Sequence, residues 1–377
     1  MNPLRLCFVG PADNVTLRRW VQWFSRQGHD TTILTVEPAG EADRIGFTQV
    51  DLNGVVPSRK VTRCISAVRM TRTIRALNPD VVHVHYARGL AWGLAYRPFH
   101  PTVVTPWGSD VLEEQGAFRE WYSKWLTQSV VRRADLVAVH SDYLESKIRL
   151  LCPDVTSIVR IGWGVDLNRF RPGLAVKALR ERWKIPAEAQ VVFSPRLAQR
   201  FYNHHVIIEA LGYLRETVPD VVLAVVEQRG DAAYVNELRS QVQRLGLADH
   251  VRFVGSIPYD DMPCWFNLAT AVVQVPESDG MPNTLLEAMA CGAVPVLRQL
   301  PQYQEVIRDD VNGKYVSEAP RSIAAGLAAV LGNGEMRRRI VATNQAVVRE
   351  IADQEKEMRR MESHYYALAH RVAGRAA

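Results

Sequence analysis

Asp279 and Glu287 stand eight residues apart in the run Pro276-Glu277-Ser278-Asp279-Gly280-Met281-Pro282-Asn283-Thr284-Leu285-Leu286-Glu287. A Gly-Met-Pro-Asn turn separates the first acid from a helical pattern, and Asn283 is the expected N-cap. The first turn of such a helix offers free N–H groups and the positive end of the dipole, which suits a phosphate. Glu287, one turn inside, is placed to accept hydrogen bonds from a ribose diol, and Gly280 permits close approach of the backbone to a ligand. Two acids near a helix start are by themselves more often a solvated pair that complements the dipole. Two cations upstream, Arg196 and Arg200, follow the strand-like Val191–Ser194.

Other chemistries lack their residues. There is no Walker A run, and Val9-Gly10-Pro11-Ala12-Asp13 is not a G-x-G-x-x-G turn, which disfavours a kinase or a dehydrogenase. No Asp-x-Asp pair occurs, and the five cysteines, Cys7, Cys64, Cys152, Cys264 and Cys291, are widely spaced without a C-x-x-C. A structural zinc site and a disulfide framework are therefore not expected, and a reducing cytoplasm is. The N-terminal apolar run is too short for a signal peptide, and no stretch of eighteen apolar residues exists to span a bilayer.

The helix string Leu286-Glu287-Ala288-Met289-Ala290-Cys291-Gly292, continued by Ala293-Val294-Pro295-Val296, resembles the signature of glycosyltransferase family 4, whose members have the GT-B fold. The resemblance implies that Glu287 binds the donor ribose. It also implies that the backbone from Gly280 through Met281, Pro282, Asn283, Thr284 and Leu285 meets the donor diphosphate and sugar. Asp279 stands where the family has Glu and would contact the donor sugar. Arg196 in Ser194-Pro195-Arg196-Leu197 matches the family arginine that neutralises the diphosphate. The family lysine about five residues on is missing. Tyr202-Asn203 stands where Lys-Gly is usual, and Arg200, about one residue out of register, is the candidate second charge.

In the first half, Asn78-Pro79-Asp80-Val81-Val82-His83-Val84-His85 looks like the family's strand ending in His-x-His, which makes His85 the third catalytic candidate beside Arg196 and Asp279. Trp107-Gly108 replaces the frequent His-Gly, so Trp107 could stack on a sugar ring, and Asp110 could bind acceptor hydroxyls. Trp163 replaces the usual Asn in Gly162-Trp163-Gly164-Val165-Asp166. The resemblance further implies a retaining reaction without metal or cofactor, with a nucleotide sugar as co-substrate and UDP as the commonest base. The acceptor (glycan, lipid-linked, peptide or small molecule) is not readable. The missing lysine and the Asp279 substitution motivate a rival reading, a degenerate GT-B protein that binds a nucleotide or a partner without catalysis.

These residues need two scaffolds. Short apolar β-branched runs alternate with helical patterns in each half of the 377 residues. The spacing predicts strands at Leu4–Gly10, Thr31–Val36, Val81–His85, Thr102–Thr105 and Leu136–His140, then at Val191–Ser194, Val221–Val226, Val251–Phe253, Ala271–Val275 and Val294–Val296. The expected architecture is α/β, two Rossmann-like parallel-sheet domains facing an interdomain cleft. Residues 1–168 form the acceptor-side domain and 187–354 the donor domain, with 169–186 as linker; the helix at about 355–377 could pack on either domain.

A net charge of +6 fits an anionic partner. Six cations and no acid lie between Leu52 and Asn78: Arg59, Lys60, Arg63, Arg69, Arg72 and Arg75. With Arg18, Arg19, Trp20 and Trp23 they suggest peripheral docking on an anionic membrane, although a solvated basic helix face is the commoner meaning of such a run. Nucleic acid is not expected, since no recognised binding motif accompanies the charge.

Overall fold

The computed structural model describes residues 2–53, 59–112, 117–227 and 230–376, except for side chains at 42, 59–65, 67, 112, 117–120 and 372–376. The chain forms two compact units, Met1–Trp163 with Glu355–Ala377, and Gly164–Gln354.

Unit 1 runs β1 (Arg5–Val9), α1 (Val15–Arg26), β2 (Asp30–Thr35), β3 (Thr48–Asp51), α2 (Arg59–Leu77), β4 (Val81–His85), α3 (Trp92–Tyr96), β5 (Thr102–Thr105), α4 (Ser109–Leu112), α5 (Ala117–Arg133), β6 (Leu136–Val139), α6 (Asp142–Leu151) and β7 (Ile158–Arg160). The sheet order is β3-β2-β1-β4-β5-β6-β7, and each neighbouring pair is parallel. β4 is buried at every position, as a central parallel strand covered on both faces must be.

One face of this sheet packs against Met70 and Ile74 of α2, Leu94 of α3, Leu126 and Val130 of α5 and Leu144 of α6. The other carries α1 and the C-terminal helix through Trp20, Phe24, Met358, Met361 and Tyr365. Asn14 caps α1, its side chain accepting from Thr16 N at 2.8 Å, and the buried stripe is Leu17, Trp20, Val21, Trp23 and Phe24. Trp20 and Trp23 are only 1% and 7% exposed, and Trp23 Nε1 donates to Glu355 at 2.7 Å. This corrects the reading of α1 as a basic-aromatic membrane face: its tryptophans are the core-facing stripe.

Unit 2 runs α7 (Lys177–Arg182), β8 (Val191–Ser194), α8 (His204–Leu214), β9 (Val222–Val225), α9 (Ala232–Arg244), β10 (Val251–Phe253), α10 (Met262–Leu268), β11 (Ala271–Gln274), α11 (Asn283–Cys291), β12 (Val294–Arg298), β13 (Lys314–Val316), α12 (Pro320–Gly332) and α13 (Gly334–Ile351). The chain closes with α14 (Gln354–Ala376). The order of the second sheet is β10-β9-β8-β11-β12-β13, again with parallel pairings.

No separate linker exists at 169–186, because Phe170 and Ile185 are buried in the unit 2 core with Val165 and Phe193. Entry and exit of this unit are tied together: Val165 N donates to Ala352 O at 2.6 Å and Gln354 N to Val165 O at 3.1 Å. Gly164, at φ +75°, lets them meet, since a Cβ there would stand 2.6 Å from Gln354 Cα.

Candidate functional site

The segment that carries the family resemblance is a strand–loop–helix unit. β11 ends at Gln274, the chain turns through Asp279–Pro282, and α11 begins at Asn283. The N-cap is Pro282, with no side-chain cap, so Asn283 is the first helical residue rather than the cap. Proline's fixed φ and missing N–H suit the entry to a helix. Met281, Pro282 and Leu285 are buried, and the Leu285 side chain belongs to the core. The N–H of Leu285 already donates to Pro282 O at 3.1 Å. Gly292, at φ +94°, ends the helix as its left-handed C-cap.

Two of the predicted residues meet. Arg196 Nη2 donates to Asp279 Oδ1 at 3.2 Å and to the Tyr202 hydroxyl at 3.1 Å, and its guanidinium lies 4.4 Å from the centre of the Tyr202 ring. Tyr303 OH donates to Asp279 Oδ2 at 2.8 Å, Gly280 N to Asp279 Oδ1 at 2.9 Å, and Gln302 to the Asp279 carbonyl. Burial works to lower the pKa of Arg196, but Asp279, Tyr202 and Tyr303 together outweigh it and hold it above the ordinary value. Burial, reinforced by Asp279, pushes the Tyr303 phenol well up, so it remains a donor. This is a charge pair in which each oxygen of the acid already has a donor.

His204 and Asn203 hold the arginine loop. His204, buried, sits between Ser194 Oγ at 3.1 Å and Leu197 O at 2.9 Å, and burial lowers its pKa to about 4. A neutral ring donates from Nε2 to the carbonyl and accepts from the serine at Nδ1, which clamps the turn bearing Arg196. Asn203, left-handed at φ +55°, donates to Val275 O at 3.0 Å, and Glu277 N donates to Phe201 O at 3.0 Å. These contacts dock the 199–203 loop beside the end of β11.

Arg200 does not join the cluster. It pairs with Glu237 and lies over the Tyr234 ring, with its side chain 62% exposed. Glu287 is buried one turn inside α11 and accepts from Tyr259 OH at 2.9 Å. The Tyr259 ring in turn carries the Arg169 guanidinium at 4.7 Å and packs on Phe170. Thr284 Oγ1 is 3.4 Å from Gln274 Oε1.

In unit 1 the candidates lie at the carboxyl ends of adjacent strands, where open α/β sheets bind ligands. His85 is the last residue of β4, buried, and neither ring nitrogen has a hydrogen-bond partner. Burial lowers its pKa to about 3, so it is neutral at physiological pH. Gly10 makes room beside it: a Cβ at Gly10 would lie 3.1 Å from His85 O. His83, two residues earlier, is spent on structure, bonding Thr105 Oγ1 at 2.7 Å and the Tyr365 hydroxyl.

Trp107 is half-buried with its Nε1 unbonded. Asp110 is occupied elsewhere: its carboxylate accepts from Ala87 N at 2.6 Å and from Trp107 N and Gly108 N at 2.9 Å each. Burial raises its pKa against the opposing pull of those N–H groups. It builds the loops after β4 and β5.

Two residues outside the sequence-derived set complete this cluster. His140, one residue past β6, is buried with Nδ1 unbonded, and its pKa falls to about 4 through burial and then Arg160. Trp163 is the hub, 5.0 Å from the His140 ring, 5.6 Å from Trp107, 5.8 Å from Trp20 and 6.3 Å from His85 between ring centres. Trp163 was visible as a departure from the usual Asn, whereas nothing in the pattern marked His140. Among the described residues, no group of three or more His, Cys, Asp or Glu side chains could hold a metal.

Two family models match this chain. "Glycosyl transferase 4-like" matches residues 5–141 and "Glycosyl transferases group 1" matches residues 176–347. Between them they take in most of both units. The chain belongs to the family 4 type of glycosyltransferases. A D-inositol 3-phosphate glycosyltransferase of Xylanimonas cellulosilytica is 29% identical over 290 residues, 72% of this chain and 68% of the relative. A GDP-mannose-dependent alpha-(1-6)-phosphatidylinositol monomannoside mannosyltransferase of Mycobacterium tuberculosis is 32% identical over 190 residues, about half of each chain (47% and 48%). Anabaena HepE, solved in complex with UDP and glucose, superposes with a TM-score of 0.81 at 17% identity over 97% of this chain and 100% of its own. That likeness establishes the GT-B fold of this glycosyltransferase.

Proposed function

We propose that this glycosyltransferase moves a hexose or N-acetylhexosamine from a nucleoside diphosphate sugar to an acceptor hydroxyl, with retention of anomeric configuration and without a metal. The observation that carries the reading is the Arg196–Asp279 pair beside the first turn of α11, with Glu287 one turn inside the helix. Helix N–H groups and one fixed guanidinium would take the diphosphate charge as the anomeric C–O bond breaks. Asp279 and Tyr202 hold that guanidinium in place. Tyr202 therefore accounts for a residue that differs from the usual lysine: the second cation is replaced by a ring that orients the first. Glu287, already fixed by Tyr259, would accept from the ribose diol. No nucleophile from the protein is required; the leaving phosphate oxygen would receive the acceptor proton.

The ring cluster of unit 1 would recognise the acceptor. Its histidines are neutral and its indoles apolar except at one N–H each, which suits an uncharged hydroxylated ring. UDP is the donor base expected from the family at large. The likeness to GDP-mannose-dependent mannosyltransferases favours GDP-mannose as a second reading. The test is a transfer assay with UDP- and GDP-sugars against mannosides, glucosides and inositols, with product anomers read by NMR. A product of inverted configuration overturns the mechanism. Donor binding without any transfer supports the degenerate reading instead.

A further inference from the structure

Among the described residues, three large aromatics of α5 face solvent: Trp121 at 69%, Tyr122 at 47% and Trp125 at 40% exposure. Tyr96, at the end of α3, is 61% exposed and joins them. Its hydroxyl lies 2.6 Å from that of Tyr122, Tyr122 stacks on Trp125 at 20° between planes, and Tyr96 lies 6.4 Å from Trp125. The same helix uses Leu126 and Val130 for the core, so the aromatics are an outward face and not a frayed interior. Soluble surfaces rarely cluster such residues without a partner. Tryptophan and tyrosine have an apolar body with a polar tip, the combination that settles at a lipid–water interface.

The charge around this face selects the partner. Lys124 and Arg97 are exposed beside the aromatics, and Arg133 is anchored there by donating to Ala95 O. α3 lies between α2 and α5 in one helical layer and packs against both. α2 belongs to the acid-free stretch from Leu52 to Asn78, and its Arg69, Arg72 and Arg75 are exposed, as is Val68. The side chains of Arg59, Lys60 and Arg63 lie outside the described residues. Cations beside an interfacial aromatic cluster complement anionic headgroups.

We propose that Tyr96, Trp121, Tyr122 and Trp125 form an interfacial anchor that seats unit 1 on an anionic lipid bilayer, with the arginines of α2 supplying the electrostatic attraction. This rests on neither the donor nor the acceptor assignment. It also moves the membrane face from the tryptophans of α1, which are buried, to the opposite layer of the sheet.

The test is co-sedimentation of the full chain with vesicles of phosphatidylcholine alone and of phosphatidylcholine mixed with phosphatidylglycerol, at low and high salt. Binding to the anionic vesicles only, with a blue shift of tryptophan emission, is expected. A Trp121→Ser/Trp125→Ser variant should bind roughly tenfold or more weakly at either salt. An Arg72→Gln/Arg75→Gln variant should lose about fivefold per cation at low salt and little at high salt. Circular dichroism and nucleotide binding by unit 2 verify that the variants are folded. The proposal is overturned if the parent ignores anionic vesicles or if the tryptophan variant binds them as well as the parent. It is equally overturned if light scattering shows a dimer that the tryptophan variant abolishes while vesicles remain unbound, which would assign the face to self-association.

Discussion

In unit 2 the polar side chains at the carboxyl edge of the sheet answer one another: Arg196 bonds Asp279 and Tyr202, Tyr303 bonds Asp279, and Tyr259 bonds Glu287. In unit 1 the corresponding edge leaves both nitrogens of His85, Nδ1 of His140 and the indole N–H of Trp107 buried without a partner. A buried polar group without a hydrogen bond is costly, commonly about 1–3 kcal/mol, so several in one place ask for a ligand. The two edges thus suit different ligands. On the proposed reading, a preformed, self-neutralised charge network would receive an anion that competes for one of its members, whereas a neutral and unsatisfied ring cluster would receive a hydroxylated molecule that completes it.

The sharpest way to break this contrast is to empty the charged edge. Arg196→Ala should lower kcat on the order of 100- to 1000-fold, because it removes the guanidinium assigned to the diphosphate and leaves Asp279 buried beside Tyr303. Steady-state kinetics at saturating donor measure it, and an unaffected kcat removes Arg196 from the mechanism. On the neutral edge, Trp163→Asn and His140→Phe should raise the acceptor KM about tenfold, the value of one lost contact of about 1.4 kcal/mol, and leave nucleotide affinity unchanged. Loss of nucleotide affinity in either variant would show that the two edges do not divide the work.

Acid should act on both through stability, with two of the three histidines concerned in unit 1 and one in unit 2. His85, His140 and His204 have pKa values lowered to about 3, 4 and 4 by burial, against an ordinary 6.5 in the unfolded chain. Between those values the unfolded chain binds protons that the native chain refuses. Stability is therefore whole above about pH 6.5 and falls as pH drops toward 4, by up to about 1.4 kcal/mol per pH unit for each histidine. Thermal unfolding midpoints recorded from neutral pH downward should decline in that window and less steeply for His140→Phe. A midpoint that holds constant to pH 4 contradicts buried histidines held neutral by the fold. The smallest effect belongs to Arg200→Ala: its partners are Glu237 and Tyr234, so kcat should change no more than about twofold, as for other exposed ion pairs.

Much of this is legible in the amino-acid sequence. Central parallel strands such as Val81–His85 and Val191–Ser194 read directly because burial on both faces makes them short runs rich in valine. The strands β3, β7 and β13 did not. Each is three or four residues long and only partly buried, so their residues carry no such run. The same difference separates the two site edges. Arg196 and Glu287 lie within a local motif, whereas Tyr303, Tyr259 and His140 reach their partners only through the crossovers of the sheet, which no local spacing encodes. Asp110 illustrates the converse: an acid after a strand looks available, yet the fold spends it on three backbone N–H groups. Trp20 and Trp23 likewise looked like a membrane face until the C-terminal helix was seen to pack over them.

The central claim, that unit 2 holds the nucleotide through Arg196 and Glu287, is tested most directly by calorimetric titration of UDP, GDP, ADP and TDP into the full chain and its Arg196→Ala and Glu287→Ala variants. The account predicts that one diphosphate binds the parent and that both variants weaken it at least about tenfold, with the Glu287 variant losing discrimination between the ribonucleotide and its 2′-deoxy analogue. Binding of that diphosphate with equal affinity by the parent and both variants would contradict it.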